Sequence, residues 1–168
     1  HDKNRWFEGG GASYDDVTYW IKKIKKQTGH PPGMLMVTTK YSMPLWKEIV
    51  DEYVKWGHKS LQLKHMNKIG FAELSWKQIG YTMDEFLDFW KNAVDYMIEL
   101  NKKGIKIRER FVTLILKKAL TKYDPNFVDW RNPTGEIIGA MAYDHKGDIF
   151  VSDEGRMNDM FKLGNVHT

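Results

Sequence analysis

Two short apolar segments flank an amphipathic one between residues 33 and 66, and this arrangement constrains the fold most strongly. Gly33–Thr39 is almost wholly apolar, which is typical of a strand buried on both faces. Ser60–Met66 reads as a second strand, with Leu61 and Leu63 pointing to one side. Strand, helix and strand at this spacing predict a βαβ unit with parallel strands.

The segment between these strands has the pattern of a helix. Ser42 is its predicted cap, Pro44 lies in its first turn and Gly57 ends it. Its apolar side chains recur at helical spacing and form one face: Trp46, Ile49, Val50, Tyr53 and Val54.

Further helices are predicted on either side of this unit. The first begins at the N-cap Ser13 and runs to about Gln27. Its predicted inner face comprises Val17, Trp20, Ile21 and Ile24. Thr82 and Glu85 form a capping box that opens the longest helix, which Gly104 closes.

A third strand and a last helix are predicted before the C-terminal region. The strand is brief, at Ile105–Ile107, and the helix covers Arg108–Leu120. Asn67–Tyr81 is a long connection after the second strand, and loops at the carboxyl ends of parallel strands are where α/β folds place their sites.

The C-terminal region has the pattern of a β-hairpin. Ile137–Tyr143 is apolar, Asp144–Gly147 is a turn signal and Asp148–Ser152 alternates. Three charged residues crowd the hairpin exit around Gly155: Asp153, Glu154 and Arg156. A mutual salt bridge is expected there rather than acid–base catalysis.

The runs Asn132-Pro133-Thr134-Gly135 and Ser152-Asp153-Glu154-Gly155-Arg156-Met157 resemble a family signature. In radical S-adenosylmethionine peptide and protein maturases with a SPASM-like extension, an X-Pro-Cys-Gly run precedes a hairpin that ends in Cys-Asp-Glu-x-Arg-Met. The maturase of the His-Xaa-Ser system is similar. Thr134 and Ser152 stand where this family has cysteines.

The resemblance covers essentially the whole chain and implies a fold. It predicts an α/β protein in which residues 1–131 are the C-terminal part of a (β/α) barrel with parallel strands. Residues 132–168 would be a SPASM-like hairpin extension. The chain is expected to start just after the fourth barrel strand of the family, where a segment like His1-Asp2-Lys3-Asn4-Arg5 and a glycine-rich turn follow.

The resemblance also bears on cofactors and substrate. The family uses S-adenosylmethionine and iron–sulfur clusters, but its three-cysteine motif lies in the first barrel loop, which is outside this chain. We therefore expect no cofactor, no metal ligand and no catalytic residue here. Lys64, His65 and Asn67 resemble the family's Leu-Arg-Pro-Leu-Asn-Pro run; with Asp153, Glu154 and Arg156 they are the predicted substrate-binding residues.

Composition excludes several kinds of function. The absence of cysteine rules out disulfides and thiolate nucleophiles in this chain. The six histidines show no metal-ligand spacing. No apolar run reaches the length of a membrane span and no signal peptide is visible, so a cytoplasmic protein is expected. The net charge of +4 comes without an arginine-rich stripe, which does not favour nucleic-acid binding.

Two hypotheses follow. The first is a cluster-less portion or diverged relative of a peptide maturase that contributes surface for a precursor peptide. The alternative is a stand-alone binding or scaffold protein for an acidic or nucleic-acid partner. Under the first hypothesis the parallel strands have open edges, so self-association or docking of a partner chain through the sheet edge is expected.

Overall fold

The computed structural model describes residues 1–5, 7–122 and 141–168, which fall into two compact units. The larger unit comprises His1–Lys68 and Ala72–Thr113. The smaller unit comprises Ile69–Phe71 and Leu114–Thr168. The predicted domain boundary between residues 131 and 132, the predicted strand residues 137–140 and the run at 132–135 lie outside the described residues.

Helices and short strands are interspersed along the described chain up to residue 120. The α-helices are α1 (Tyr14–Thr28), α2 (Trp46–Trp56), α3 (Phe71–Leu74), α4 (Trp76–Ile79), α5 (Met83–Lys102) and α6 (Arg110–Leu120). The strands are β1 (Met36–Val37), β2 (Ser60–Leu61), β3 (Leu63–Lys64), β4 (Arg108–Glu109), β5 (Ala142–Tyr143), β6 (Asp148–Phe150) and β7 (Lys162–Asn165). Short 3₁₀ helices cover Lys40–Leu45, Gly155–Met157 and Asp159–Phe161.

The strands of the larger unit pair in parallel, as the βαβ pattern predicts. In β1 and β3, Met36 is paired with Leu63 and Val37 with Lys64. In β2 and β4, Leu61 is paired with Glu109. The predicted second strand is therefore two consecutive short strands separated by Gln62, and each pairs with a different neighbour.

The first parallel strand is not buried on both faces, contrary to the expectation from its composition. Leu35 is 87% exposed and Val37 is 51% exposed, whereas Thr38 is fully buried. Among the described residues β1 pairs only with β3, so its other edge and part of its apolar surface stay uncovered. An apolar run alone does not reveal whether a strand has cover on both sides.

The third strand and the last helix begin later than predicted. Ile105–Ile107 is not a strand; β4 is Arg108–Glu109, and α6 starts at Arg110 rather than at Arg108. The apolar Ile107 is buried just before the strand. Glu109 keeps its buried strand position because its side chain is hydrogen-bonded, which an apolar pattern does not indicate.

The helix starts show one predicted cap and one unexpected one. At α5 the capping box is present: Glu85 N–H donates to Thr82 Oγ1 at 3.2 Å, and Thr82 N–H donates to Glu85 Oε2 at 2.7 Å. At α1 the Ser13 side chain is not the cap. Asp2 Oδ1 instead accepts from Ser13 N–H at 3.1 Å and from Tyr14 N–H at 2.9 Å. A carboxylate at the positive end of α1 serves the same purpose as an N-cap hydroxyl.

One hydrophobic core lies between α2, α5 and the parallel strands. Its buried members are Val50, Tyr53, Leu61, Leu63, Phe86, Phe89, Ala93, Met97, Leu100 and Ile107. The predicted inner face of α2 supplies two of them, and five more come from α5. The predicted inner face of α1 is half right: Ile21 is buried and Ile24 half-buried, but Val17 and Trp20 are exposed.

The smaller unit confirms the predicted hairpin within its described residues. β5 and β6 are antiparallel, with Ala142 paired with Phe150 and Tyr143 with Ile149. β7 adds a third antiparallel strand on the other side of β6, which the sequence analysis did not predict. In the turn, Gly147 N–H donates to the Asp144 carbonyl, and Gly147 has a φ of 82°. Within the part of the chain described, none of the helices is long and apolar enough to cross a membrane.

Candidate functional site

Polar side chains collect where β1 and β3 end, on the surface that we call the carboxyl edge. It is formed by Thr38, Lys64, His65, Met66 and Tyr81. Thr38 directly follows β1, and Lys64 is the last residue of β3. Since parallel strands end at the same side of a sheet, the βαβ unit brings these residues together. Tyr81 joins them from the connection before α5.

The Tyr81 hydroxyl links the ends of the two strands. It accepts a hydrogen bond from Met66 N–H at 2.6 Å and lies 2.6 Å from Thr38 Oγ1. Thr38 Oγ1 donates its single hydrogen to the carbonyl of Lys64 at 3.0 Å. The Tyr81 O–H must therefore be the donor toward Thr38. The strand ends are held in one arrangement before any ligand arrives.

Aromatic rings line the same edge. Tyr81 stacks on Phe86 with centroids 6.0 Å apart, and His65 meets the Phe86 ring edge-on at 5.9 Å. Trp76 lies 6.2 Å from Tyr81, with the Lys68 amine 5.9 Å from the Trp76 ring centroid. His65, Trp76 and Tyr81 are only partly buried. Rings and cations together can contact both apolar and anionic groups of a peptide.

A buried carboxylate lies next to this edge. Glu109 is 3% exposed and ends β4. Its Oε1 accepts from Leu63 N–H at 3.2 Å and its Oε2 accepts from Val112 N–H at 2.8 Å. Burial raises the pKa of Glu109, and these backbone donors only partly offset that effect. Glu109 therefore joins β3 to the first turn of α6.

Two neighbours of Glu109 complete this polar region. The Trp90 indole N–H faces Glu109 and slightly offsets the rise in the pKa of Glu109 that burial causes, although the indole nitrogen makes no hydrogen bond of good geometry. Arg110 Nη1 donates to Gln62 Oε1 at 3.2 Å. Arg110 directly follows β4 and Gln62 directly follows β2, so this bond connects the ends of the two paired strands. Carboxylates with perturbed pKa values are enriched at functional sites, but this one is also a helix cap.

The predicted substrate-binding residues fall into two groups that belong to different units. Lys64, His65 and Asn67 follow one another at the end of β3 in the larger unit and are partly exposed. Sequence reasoning missed Tyr81, Thr38 and Glu109. The Thr-Thr pair at the end of an apolar run was the available signal for Thr38.

Asp153, Glu154 and Arg156 lie in the smaller unit, around its first 3₁₀ helix. Arg156 Nη2 is 3.0 Å from Asp153 Oδ1, which is the predicted type of mutual ion pair. Both side chains are open to solvent, at 44% and 80% exposure. The two residues are three positions apart, so this ion pair is local to the exit of the hairpin.

Ser152 occupies a position where the resembling family has a cluster cysteine, and its surroundings do not fit an iron–sulfur cluster. It is buried, and its Oγ accepts from Gly155 N–H at 3.0 Å. A hydroxyl is also a poor iron ligand compared with a thiolate. Ser152 caps the turn at Gly155 instead. Across residues 1–5, 7–122 and 141–168, no three histidine, aspartate or glutamate side chains group as a metal site.

Comparisons with known proteins show the fold of the chain. No protein-family model and no curated protein sequence matches it. A solved structure of hexahistidine-tagged anSMEcpe with bound AdoMet, an anaerobic sulfatase-maturating enzyme, aligns with a TM-score of 0.75 and 17% sequence identity. The alignment covers 98% of this chain and 42% of that one, so the chain spans less than half the length of its structural neighbour. The chain is a mixed α/β protein that shares the fold of this part of anSMEcpe.

Proposed function

We propose that this chain is a diverged, cluster-less relative of part of a radical S-adenosylmethionine peptide maturase, and that it contributes a surface for substrate peptide. The carboxyl edge carries this proposal. Its hydrogen-bonded strand ends and partly exposed rings lie where α/β folds bind ligands. The fold likeness to anSMEcpe over nearly the whole chain supports the family, and the signature at the hairpin exit supports a maturase like that of the His-Xaa-Ser system.

The proposal assigns binding, not radical chemistry, to this chain. Its sequence holds no cysteine, and the Ser152 hydroxyl is already hydrogen-bonded as a cap. No residue is assigned a catalytic role. Lys64 offers a cation to a peptide carboxylate, His65 and Tyr81 offer ring surface, and Asn67 offers an amide.

Selection of peptides tests the proposal. A random peptide library displayed on its encoding RNA is selected against the purified chain, and enriched peptides are titrated against variants. The double variant Lys64→Ala with His65→Ala should weaken binding by about tenfold or more, because an apolar contact and a charge contact are both lost.

A matched control replaces the same two residue types elsewhere. Lys91→Ala with His30→Ala changes two exposed residues of the larger unit that are not part of the carboxyl edge. Binding should stay close to wild type. If no peptide is enriched, or if both double variants weaken binding equally, the proposed function is wrong.

We further propose that the parallel strands are part of a (β/α) barrel and that the free edge of β1 takes up another strand, from a second copy or a partner chain. Leu35 and Val37 are the exposed apolar residues at this edge. Unpaired strand edges with apolar side chains are templates for pairing with another chain.

Sedimentation velocity at micromolar concentration tests this assembly. The wild-type chain should sediment as an oligomer, and Val37→Lys should shift it toward monomer because a charged side chain blocks edge pairing. Val166→Lys, at an exposed position of the smaller unit, is the control and should leave the distribution unchanged. A wild-type monomer would overturn the free-edge proposal.

A further inference from the structure

The solvent-facing sides of α1 and α2 carry a second surface, which shares no residue with the carboxyl edge. We call it the lysine face; it comprises Tyr19, Trp20, Lys22, Lys23 and Lys26 of α1 together with Lys55 of α2, and the buried Trp56 lies beneath it. The α1 segment from residue 20 to residue 28 has four lysines and no carboxylate. A lysine-rich last turn complements the helix dipole, but that effect needs only one or two cations.

Two large aromatic side chains are exposed on this face. Tyr19 and Trp20 are 55% and 53% exposed, and their rings meet edge-on at 5.5 Å. The Lys23 amine lies 4.5 Å from the Trp20 ring centroid and 5.7 Å from that of Tyr19. Adjacent exposed rings bring apolar surface into water, and a solvated helix face does not require them. Tyrosine and tryptophan are enriched at protein contact surfaces, so these two rings indicate such a surface.

The lysine face continues onto α2. The amines of Lys22 and Lys55 each lie 5.6 Å from the Trp56 ring centroid, one from each helix. Lys25 Nζ donates to the Trp56 carbonyl at 3.0 Å, which joins the two helices at this point. The cations are therefore presented by two helices that are directly bonded to each other.

The α2 carboxylate that pairs with Lys55 has other hydrogen-bond partners as well. Glu52 accepts from Tyr14 at 2.5 Å and from Trp56 Nε1 at 2.7 Å, and it pairs with Lys55 at 3.1 Å. Burial opposes its ionisation, but these donors outweigh burial and lower the pKa of Glu52. Within the part of the chain described, Lys22, Lys23 and Lys26 form no ion pair. Positive charge is left facing the solvent.

We infer that the lysine face docks an acidic peptide segment that also carries apolar side chains. Aspartate or glutamate carboxylates would neutralise Lys22, Lys23 and Lys26, while an apolar side chain would cover Trp20 and Tyr19. Opposite charge favours encounter, and the rings supply apolar contact area.

Two features favour a peptide over a nucleic acid. Neither α1 nor α2 contains arginine, the residue favoured for nucleic-acid recognition through both phosphate contacts and stacking. The exposed rings are also edge-on to each other, with Lys23 close to both, so they do not form a parallel platform on which successive bases stack.

Fluorescence anisotropy with a defined probe tests the inference. The probe is a labelled peptide in which glutamate alternates with leucine, and one leucine is replaced by phenylalanine. In the comparison peptide every glutamate is replaced by glutamine. The wild-type chain should bind the glutamate peptide at least about tenfold more tightly than the glutamine peptide. A single-stranded oligouridine of equal charge is the third probe and should bind more weakly than the glutamate peptide.

Matched charge reversals locate the binding. Lys22→Glu, Lys23→Glu and Lys26→Glu together should weaken binding of the glutamate peptide by about tenfold or more. Lys91→Glu, Lys103→Glu and Lys106→Glu change net charge equally at exposed positions outside α1 and α2, and should weaken it by less than about threefold. Trp20→Ala should weaken it by about fivefold. Circular dichroism and thermal melting establish that each variant is folded.

Three outcomes overturn the inference. Equal weakening by the two triple reversals would mean that net charge alone attracts the probe. Tighter binding of oligouridine would assign the face to nucleic acid. Absence of binding to the glutamate peptide would mean that the lysine face does not dock acidic peptides. Each outcome leaves the proposed role of the carboxyl edge unaffected, because that role is tested with Lys64 and His65.

Discussion

Ten buried hydrophobic side chains form one core in the larger unit, whereas Ala142 and Phe150 are the buried hydrophobic residues among those described in the smaller unit. The smaller unit instead relies on turn hydrogen bonds. Asp144 Oδ1 accepts from Lys146 N–H and from Asp148 N–H, and Asn165 Nδ2 donates to the Lys146 carbonyl. The larger unit should therefore lose most stability when a cavity is made in its core. The smaller unit should lose most stability when one of its turns is changed.

The largest effect is expected from a cavity in the larger unit. Phe89 is 2% exposed, and Phe89→Ala should lower the free energy of unfolding by about 3–5 kcal/mol, because it removes buried ring contacts and leaves a void. Urea denaturation measures it. Ile98→Ala on the same helix is the control; Ile98 is 49% exposed, and its loss should be several times smaller. Similar losses would mean that the core described for α5 is wrong.

The turn of the smaller unit should be the next most sensitive position. Gly147 has a φ of 82°, and a Cβ there would lie 2.7 Å from Val166 Cγ2. Gly147→Ala should destabilise the three-stranded sheet by roughly 2–3 kcal/mol through strain and overlap. Amide hydrogen exchange should show loss of protection in β5–β7 with protection of α5 retained. Gly164→Ala, which meets no atom within 4 Å, should leave exchange unchanged.

A polar substitution distinguishes burial from hydrogen bonding inside the larger unit. Glu109→Gln keeps the shape of the side chain but leaves one acceptor oxygen for two backbone donors, Leu63 and Val112. The substitution should lower the free energy of unfolding by about 1–3 kcal/mol, as measured by urea denaturation. Glu99→Gln replaces an exposed carboxylate of α5 and should have no measurable effect. If Glu109→Gln leaves the free energy of unfolding unchanged, the carboxylate is not a structural link between β3 and α6.

The smallest effect is expected at the exit of the hairpin. Arg156→Ala removes an ion pair whose partners are both exposed, so the loss should be at most about 0.5 kcal/mol. Lys162→Ala in the same unit should cost more, because Lys162 Nζ lies 2.6 Å from the half-buried Asp148. Thermal melting of both variants gives the order. A larger loss of stability for Arg156→Ala than for Lys162→Ala would mean that Arg156 makes a further stabilising contact.

The sequence predicted the elements whose signals are local. The α5 capping box, the end of α2 at Gly57 and the turn at Asp144–Gly147 depend on residues within a few positions of each other. Parallel pairing followed from the spacing of two apolar runs. These features are set by backbone chemistry that neighbouring side chains control directly.

The missed features depend on distant partners. Glu109 has the sequence pattern of a surface charge, because its donors at Leu63 and Val112 are known only from the fold. β7 (KLGN) has little strand propensity, and Asn165 is held by Lys146 and Asp148 from another part of the chain. The exposure of Val17 and Trp20 depends on which surfaces receive cover, which periodicity does not indicate.

The Tyr81 hydroxyl has a consequence for the order of folding. It joins Met66 and Thr38, which are 15 and 43 residues away along the chain. Such a contact requires loop closure, whereas helices such as α2 and α5 can form from neighbouring residues within microseconds. The strand-end link should therefore form after the rate-limiting barrier. Removing only the hydroxyl, as in Tyr81→Phe, should accelerate unfolding and leave the refolding rate nearly constant. The carboxyl edge would then be completed only after the parts of the larger unit that form the folding nucleus.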